Sequence, residues 1–339
     1  MPGYGPRVRP GARGASVPLF PPSEPYDSGV LMTSDGQSIY WECCGNPDGQ
    51  PALYLHGGPG SGAAPRARRY FDPERFRVVL FDQRGCGRSR PSAADPDVDL
   101  ARTNTTQHQL ADIEQLRELH GISSWVVLGV SWGSTLALAY AQTHPQRVSG
   151  LVLAAVTNTT EREVRWITED MGRVFPEQWS RFADAVLPHL RGERIVDAYA
   201  EMLADADPAV REHAAREWCA WEDVHVSLAP GYSPDPRFQD PEIRYLIARL
   251  VTHYWRHSAF LPEGQLLRDV SALDGILGSL IHGRYDVSSP LDVAWRLHQG
   301  WPTSELHVID DAGHGGAGGF TDVVVAELAR VARAGAEAR

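Results

Sequence analysis

Short apolar runs recur along this chain at intervals that suit a layered architecture. Residues 52–55, 77–81, 125–130, 151–154, 279–281 and 305–309 are brief, rich in Val and Leu, and bounded by turn residues. Runs of that length and composition predict strands buried on both faces. Between them, residues 109–120 and 291–298 space their apolar positions three and four apart, the period of an amphipathic helix. Strands alternating with helices predict an α/β fold, a mostly parallel central sheet flanked by helices. Ahead of this pattern, residues 29–32 and 38–42 alternate around Asp35-Gly36, which predicts an antiparallel hairpin.

The alternation stops between 157 and 270. That stretch offers no strand pattern and five amphipathic helical patterns, at 163–174, 177–190, 193–204, 209–224 and 243–257. It is expected to form an all-helical cap over a site, inserted before the strand at 279. The alternative is a second domain with no part in the site. The expected organisation is therefore a loose Pro-, Gly- and Arg-rich tail at 1–22, a layered core at 23–156 and 271–339, and a cap at 157–270.

Composition narrows the function classes. The formal net charge of −11 over 339 residues argues against a nucleic-acid partner. No apolar run reaches about 18 residues, so no membrane span is expected. The N-terminus has arginines without an apolar segment behind them, unlike a secretory signal. Cys43, Cys44, Cys86 and Cys219 lack metal-ligand spacing and are expected to be free thiols of a cytoplasmic protein. Neither a metal nor a cofactor is expected, and the oligomeric state is left open.

The chemistry is concentrated in three segments. Gly129-Val130-Ser131-Trp132-Gly133 lies between a strand pattern and a helix pattern. Strand, G-x-S-x-G, helix is the setting of a nucleophile elbow, with glycines allowing the sharp turn that exposes the serine. A triad on an α/β-hydrolase sheet runs Ser, then acid, then His. Asp286 follows the strand at 279–281, and His314 follows the strand at 305–309. His314 would take the serine proton, and Asp286 would orient the imidazole and stabilise its cation. Asp310 and Asp311 lie too near His314 in sequence to fit that arrangement, and His298 reads as a packing residue. An oxyanion hole needs two backbone N–H donors. Trp132, directly after the serine, supplies one, and Gly58 in His56-Gly57-Gly58-Pro59-Gly60 is the choice for the other. Acting as base, His314 must be neutral, so activity is expected to fall on acidification through about pH 6 to 7.

These segments together resemble the proline iminopeptidases of the α/β-hydrolase fold. The likeness begins at Glu24-Pro25-Tyr26-Asp27-Ser28-Gly29. It takes in the His56 loop and Asp82-Gln83-Arg84-Gly85-Cys86-Gly87-Arg88-Ser89, and ends at Gly283-Arg284-Tyr285-Asp286 and Gly313-His314. The resemblance implies a serine aminopeptidase that releases an N-terminal residue, typically proline, from a small peptide or aminoacyl substrate. A free α-amine is a cation, and in a cap pocket it needs carboxylate partners. The family uses two cap glutamates. Trp218-Cys219-Ala220-Trp221-Glu222 resembles the segment with the first, which makes Glu222 the candidate anchor and Trp221 a pocket neighbour; the alternative is a solvent-facing helix acid. The segment resembling the second has Val251 at that place. Two family aromatics are replaced by Thr157 and Ile167, and a cysteine near the pocket by Ser289. Asp223 is a candidate substitute carboxylate. All these departures lie in substrate recognition, so a second reading keeps the triad but makes it an esterase, amidase or small-molecule acyl hydrolase.

Overall fold

The structure, a computed structural model, describes residues 8–10, 19–226, 228–229, 231–315 and 319–337. Among them nine strands form one sheet: β1 (Val8–Pro10), β2 (Asp27–Met32), β3 (Ser38–Gly45), β4 (Gln50–Leu55), β5 (Phe76–Phe81), β6 (Trp125–Val130), β7 (Val148–Ala154), β8 (Gly278–Gly283) and β9 (Ser304–Ile309). Their order is β1-β9-β8-β7-β6-β4-β5-β3-β2. All neighbours run parallel except β2 with β3 and β3 with β5. The helices are α1 (Leu100–Thr103), α2 (Thr106–Leu119), α3 (Trp132–Thr143), α4 (Glu161–Thr168), α5 (Pro176–Asp184), α6 (Ile195–Leu203), α7 (Pro208–His225), α8 (Pro241–Arg256), α9 (Gln265–Arg268), α10 (Asp292–Gly300) and α11 (Phe320–Glu337).

Strands β4 to β9 are largely apolar because both faces are covered, whereas the edge strand β2 is mostly exposed. Along β4, Leu53 and Leu55 enter the cluster beneath α2, α3 and α10, while Ala52 and Tyr54 enter the one beneath α11. Cys43 and Cys44 divide between the same two clusters, and all four cysteines are free and buried. The expected hairpin is β2–β3, closed where Thr33 N–H donates to Gln37 O at 2.9 Å and Gly36 takes φ 86°.

Two expectations change. Within the segment read as a loose tail, residues 8–10 pair in parallel with β9 and occupy the open edge of the sheet; residues 1–7 and 11–18 lie outside those described. An edge strand tolerates Pro10, which has no N–H to give. The helices expected at 163–174 and 177–190 are shorter: α4 gives way to a 3-10 turn at Asp170–Arg173, and α5 to one at Pro188–Leu190. Pro176 opens α5 at its first position, and the ring of Pro188 would meet the carbonyl of Asp184, where α5 stops. Helices α4 to α8 enclose a cluster of their own, with Trp218, Trp221, Phe182 and Tyr199 at its centre. They meet the layered core through α8, where His253 Nε2 bonds Asn104 O at 2.8 Å and Tyr254 donates to Asn104 Oδ1 at 2.6 Å. No helix of the described residues is long and apolar enough to cross a membrane.

Candidate active site

The carboxyl ends of β4, β6, β7, β8 and β9 share one edge of the sheet, the position where ligands bind in open α/β sheets. Ser131 follows β6 as the first residue past the strand, with φ 57° and ψ −125°. Such a backbone is strained for a residue with a Cβ, and its surroundings enforce it. A Cβ on Gly129 would lie 2.3 Å from Gly133 O, and one on Gly133 only 2.1 Å from Leu55 O. Only glycines let α3 approach β4 and β6 this closely, and that approach folds the chain back at the serine.

Ser131, His314 and Asp286 are in line. The Ser131 hydroxyl donates to His314 Nε2 at 2.8 Å, and His314 Nδ1–H donates to Asp286 Oδ2 at 2.7 Å. Asp286 is fixed from behind by the Ser289 N–H on Oδ1 at 2.9 Å. Beneath it His282, fully buried, accepts from Val156 N–H through Nδ1 and donates through Nε2 to Ser289 O at 2.6 Å. Both His282 nitrogens are thereby engaged in its neutral form. Burial lowers the His282 pKa and outweighs the nearby Asp286 charge. Burial would also depress His314, but the Asp286 charge and hydrogen bond, with Glu222 further off, leave its pKa raised above 6.5. Asp286 is held below the ordinary carboxylate value: burial opposes ionisation, and the His314 and His282 rings with the Ser289 N–H overcome it. Asp310 instead pairs with Arg284 at 3.2 Å on the surface, and His298 bonds Ser304 Oγ in the core.

Gly58 and Trp132 both line the cavity above Ser131. The Trp132 N–H opens α3 and has no carbonyl of its own helix to bond, and among the described residues the Gly58 N–H is likewise untaken. Their loops are stiffened together. Trp132 Nε1–H donates to Gln83 Oε1 at 2.9 Å, Gln83 Nε2–H donates to His56 O at 3.0 Å, and Gln83 N–H donates to His56 Nε2 at 3.1 Å. The Asp82–Ser89 segment acts as a brace rather than as chemistry. Arg88 binds Asp82 at 2.7 Å and Glu42 at 3.1 Å, and Arg84 binds Asp112 at 2.6 Å.

A cavity of about 490 Å³ lies between these loops and the helices α4, α7 and α8. Glu222, Thr157, Ile167, Asp223 and Ser289 line it with Ser131 and His314. The Thr157 hydroxyl turns inward to Ser131 O at 3.0 Å, and Ser289 Oγ donates to Val156 O at 2.6 Å. Asp223 Oδ1 accepts from Asp235 N–H at 2.8 Å. Two expected pocket residues are not on the wall. Trp221 is 2 % exposed; its indole packs on Phe182 and donates to Ile167 O at 3.2 Å. It precedes Glu222 on α7, so it points about 100° around the helix. Val251 is fully buried in the helical cluster, while Ile247 and Trp255, one turn to either side on α8, do line the cavity. Its short side chain does not reach past them.

Glu163 and His225 are among the cavity residues that the sequence analysis did not single out. Glu163 lines the wall and is capped by the N–H groups of Asn158 and Thr159 at 2.9 and 2.7 Å, so it shapes the loop after β7. His225 lies one turn beyond Glu222 on the same face of α7, a spacing that could have marked it. Burial, resisted by His314 and reinforced by Asp223, raises Glu222 to about 7. Among the described residues one group of metal-ligand type, Glu305, His307 and Glu327, stands apart from the cavity; Arg330 binds Glu327 at 2.6 Å, so a cation there would meet a guanidinium.

Residues 51–317 match the family model of the alpha/beta hydrolase fold. The chain is 47% identical over 321 residues to a "Probable proline iminopeptidase" of Streptomyces coelicolor, covering 94% of this chain and 98% of that one. It is 43% identical over 298 residues to a proline iminopeptidase of Arabidopsis thaliana, covering 87% and 77%. In fold it is similar to the crystal structure of a proline iminopeptidase of Mycobacterium smegmatis, with a TM-score of 0.59 at 18% identity over 91% of this chain and 99% of that one.

Proposed function

The chain belongs to the proline iminopeptidase family of α/β hydrolases, and on that premise we propose that it is a serine aminopeptidase releasing an N-terminal residue, proline or a broader set, from small peptides. Ser131 attacks the first carbonyl of the substrate while His314 takes its proton, and Asp286 orients and stabilises the imidazolium. The oxyanion that forms is met by the Gly58 and Trp132 N–H groups. His314 then passes its proton to the departing amine, and water repeats the sequence on the acyl-enzyme.

The observation that carries this reading is the Glu222 carboxylate. Its Oε2 is buried without a partner among the described residues, in the cavity that Ser131 and His314 line. A buried, unpaired carboxylate is costly, and a cationic guest relieves that cost. The free α-ammonium of a peptide is such a guest, and anchoring it places the first peptide bond, and no later one, at Ser131.

The test compares a prolyl arylamide, its N-acetyl counterpart and a short-chain nitrophenyl ester. Glu222→Gln is expected to lose about 10²-fold in kcat/KM on the free-amine substrate, the size expected for removing one partner of a buried charge pair, and far less on the ester. Equal losses on all three would remove the anchor role. Strong ester turnover by the parent protein without arylamide hydrolysis would favour an acyl hydrolase of another kind.

The pH dependence follows from the same groups. His314 acts only when neutral, and its pKa is raised, so activity on every substrate is lost as pH falls through a midpoint above 6.5. Glu222 binds an ammonium only when ionised, and its value is about 7. Free-amine substrates therefore lose activity through two coupled protonations and the ester through one. The expected acid-limb slope of log kcat/KM approaches two for the arylamide and one for the ester; identical slopes would contradict the scheme.

A further inference from the structure

His225 is the least explained polar residue of the cavity. It is 2 % exposed, it lines the wall, and its Nε2 has no partner among the described residues. Glu222 Oε2, itself without a hydrogen-bond partner, lies 3.8 Å away. The other side of the ring is fixed. Ser288 Oγ lies 3.0 Å from His225 O and 2.7 Å from Nδ1, and with its one proton on the carbonyl oxygen it accepts from Nδ1–H. In that tautomer Nε2 keeps a free lone pair on the side of the ring that faces Glu222. The ring is not a cation: burial, with the charge of His314 acting in the same direction, depresses its pKa to about 3.

Two acceptors side by side, each lacking a donor, define a site for one donor-rich group. We propose that His225 Nε2 is the second acceptor for the substrate's α-ammonium, paired with Glu222, so that one carboxylate and one neutral imidazole do what two carboxylates would otherwise do. This rests on the aminopeptidase reading above and adds to it the chemistry of the amine subsite. A secondary ammonium, as at an N-terminal proline, carries two N–H bonds, one for each acceptor. Val251, buried behind the wall, has no part in the subsite.

Two variants separate the nitrogens of the ring. His225→Asn keeps a group able to bond Ser288 and deletes the Nε2 acceptor; His225→Gln restores an acceptor near the Nε2 place. H225N is expected to raise KM for a prolyl arylamide about 10- to 100-fold, the effect of one lost hydrogen bond to a charged group, with a smaller change in kcat. H225Q is expected to recover most of the loss. Fluorophosphonate labelling of Ser131, which needs no amine, shows that each variant has folded with its triad. In the parent protein, nitrogen NMR of labelled histidine is expected to find His225 Nε2 unprotonated and to shift it when L-proline is added, but not when N-acetylproline is. The proposal is overturned by an H225N that labels normally and keeps KM within twofold, or by a protonated Nε2 in the free protein. If neither variant folds, the NMR result decides. These failures are distinct from failure of the aminopeptidase reading, which shows as absent arylamide turnover by the parent protein.

Discussion

Ser131→Ala is expected to lower kcat by about 10⁶-fold on any substrate the protein turns over, the scale seen when a hydrolase loses its nucleophile. The residual rate is that of water held against the oxyanion donors. The fold is expected to survive, because the backbone bond that positions the elbow, Ser131 N–H to Ala154 O at 2.9 Å, does not involve the side chain. A thermal melt within a few degrees of the parent, together with loss of fluorophosphonate labelling, would attribute the effect to chemistry. Residual activity within 10²-fold, in protein shown free of contaminating hydrolase, would sink the assignment of Ser131.

Asp286→Asn carries the second-largest expected effect, about 10⁴-fold in kcat, as for a serine hydrolase whose orienting acid becomes an amide. The amide preserves volume but can present an N–H where His314 now finds an acceptor. His314 then loses its reason to keep the proton on Nδ1. With the proton on Nε2 instead, the ring can no longer accept from the Ser131 hydroxyl. His282 does not compensate, since its two nitrogens are committed to Val156 N–H and Ser289 O. A loss confined to KM, or one smaller than tenfold in kcat, would mean that Asp286 does not orient the base.

The layered core was legible in the sequence because burial on both faces writes itself as continuous apolar runs. Each run identified there lies within one of β4 to β9. Ser131, Asp286 and His314 were legible because loops at strand ends carry glycines, and glycines are needed where a Cβ has no room. The helical wall of the cavity was not. Whether a residue on α7 or α8 faces the cavity depends on a rotation of about 100° per position, and that rotation is set by how Trp218, Phe182 and Tyr199 pack. Hence Glu222 faces the cavity as expected while its expected companion Trp221, one position before it, does not, and His225 was not singled out. Val251 shows another limit: it lies between two wall residues on one helix, yet its side chain is too short to be seen from the cavity.

The loop that carries Asp286 is suspended from the helical segment as much as from the sheet. Trp166 on α4 donates its indole N–H to Val287 O at 2.7 Å, and Ser288 donates to His225 O at the end of α7. Recognition and catalysis are therefore not separate modules in this molecule. A change in α4 or α7 that reshapes what the cavity accepts is transmitted, through these hydrogen bonds and that of His225 Nδ1 with Ser288 Oγ, to the acid that holds the imidazole in place. New selectivity in such a protein would have to arise by small steps that keep those bonds, rather than by exchange of the whole helical segment.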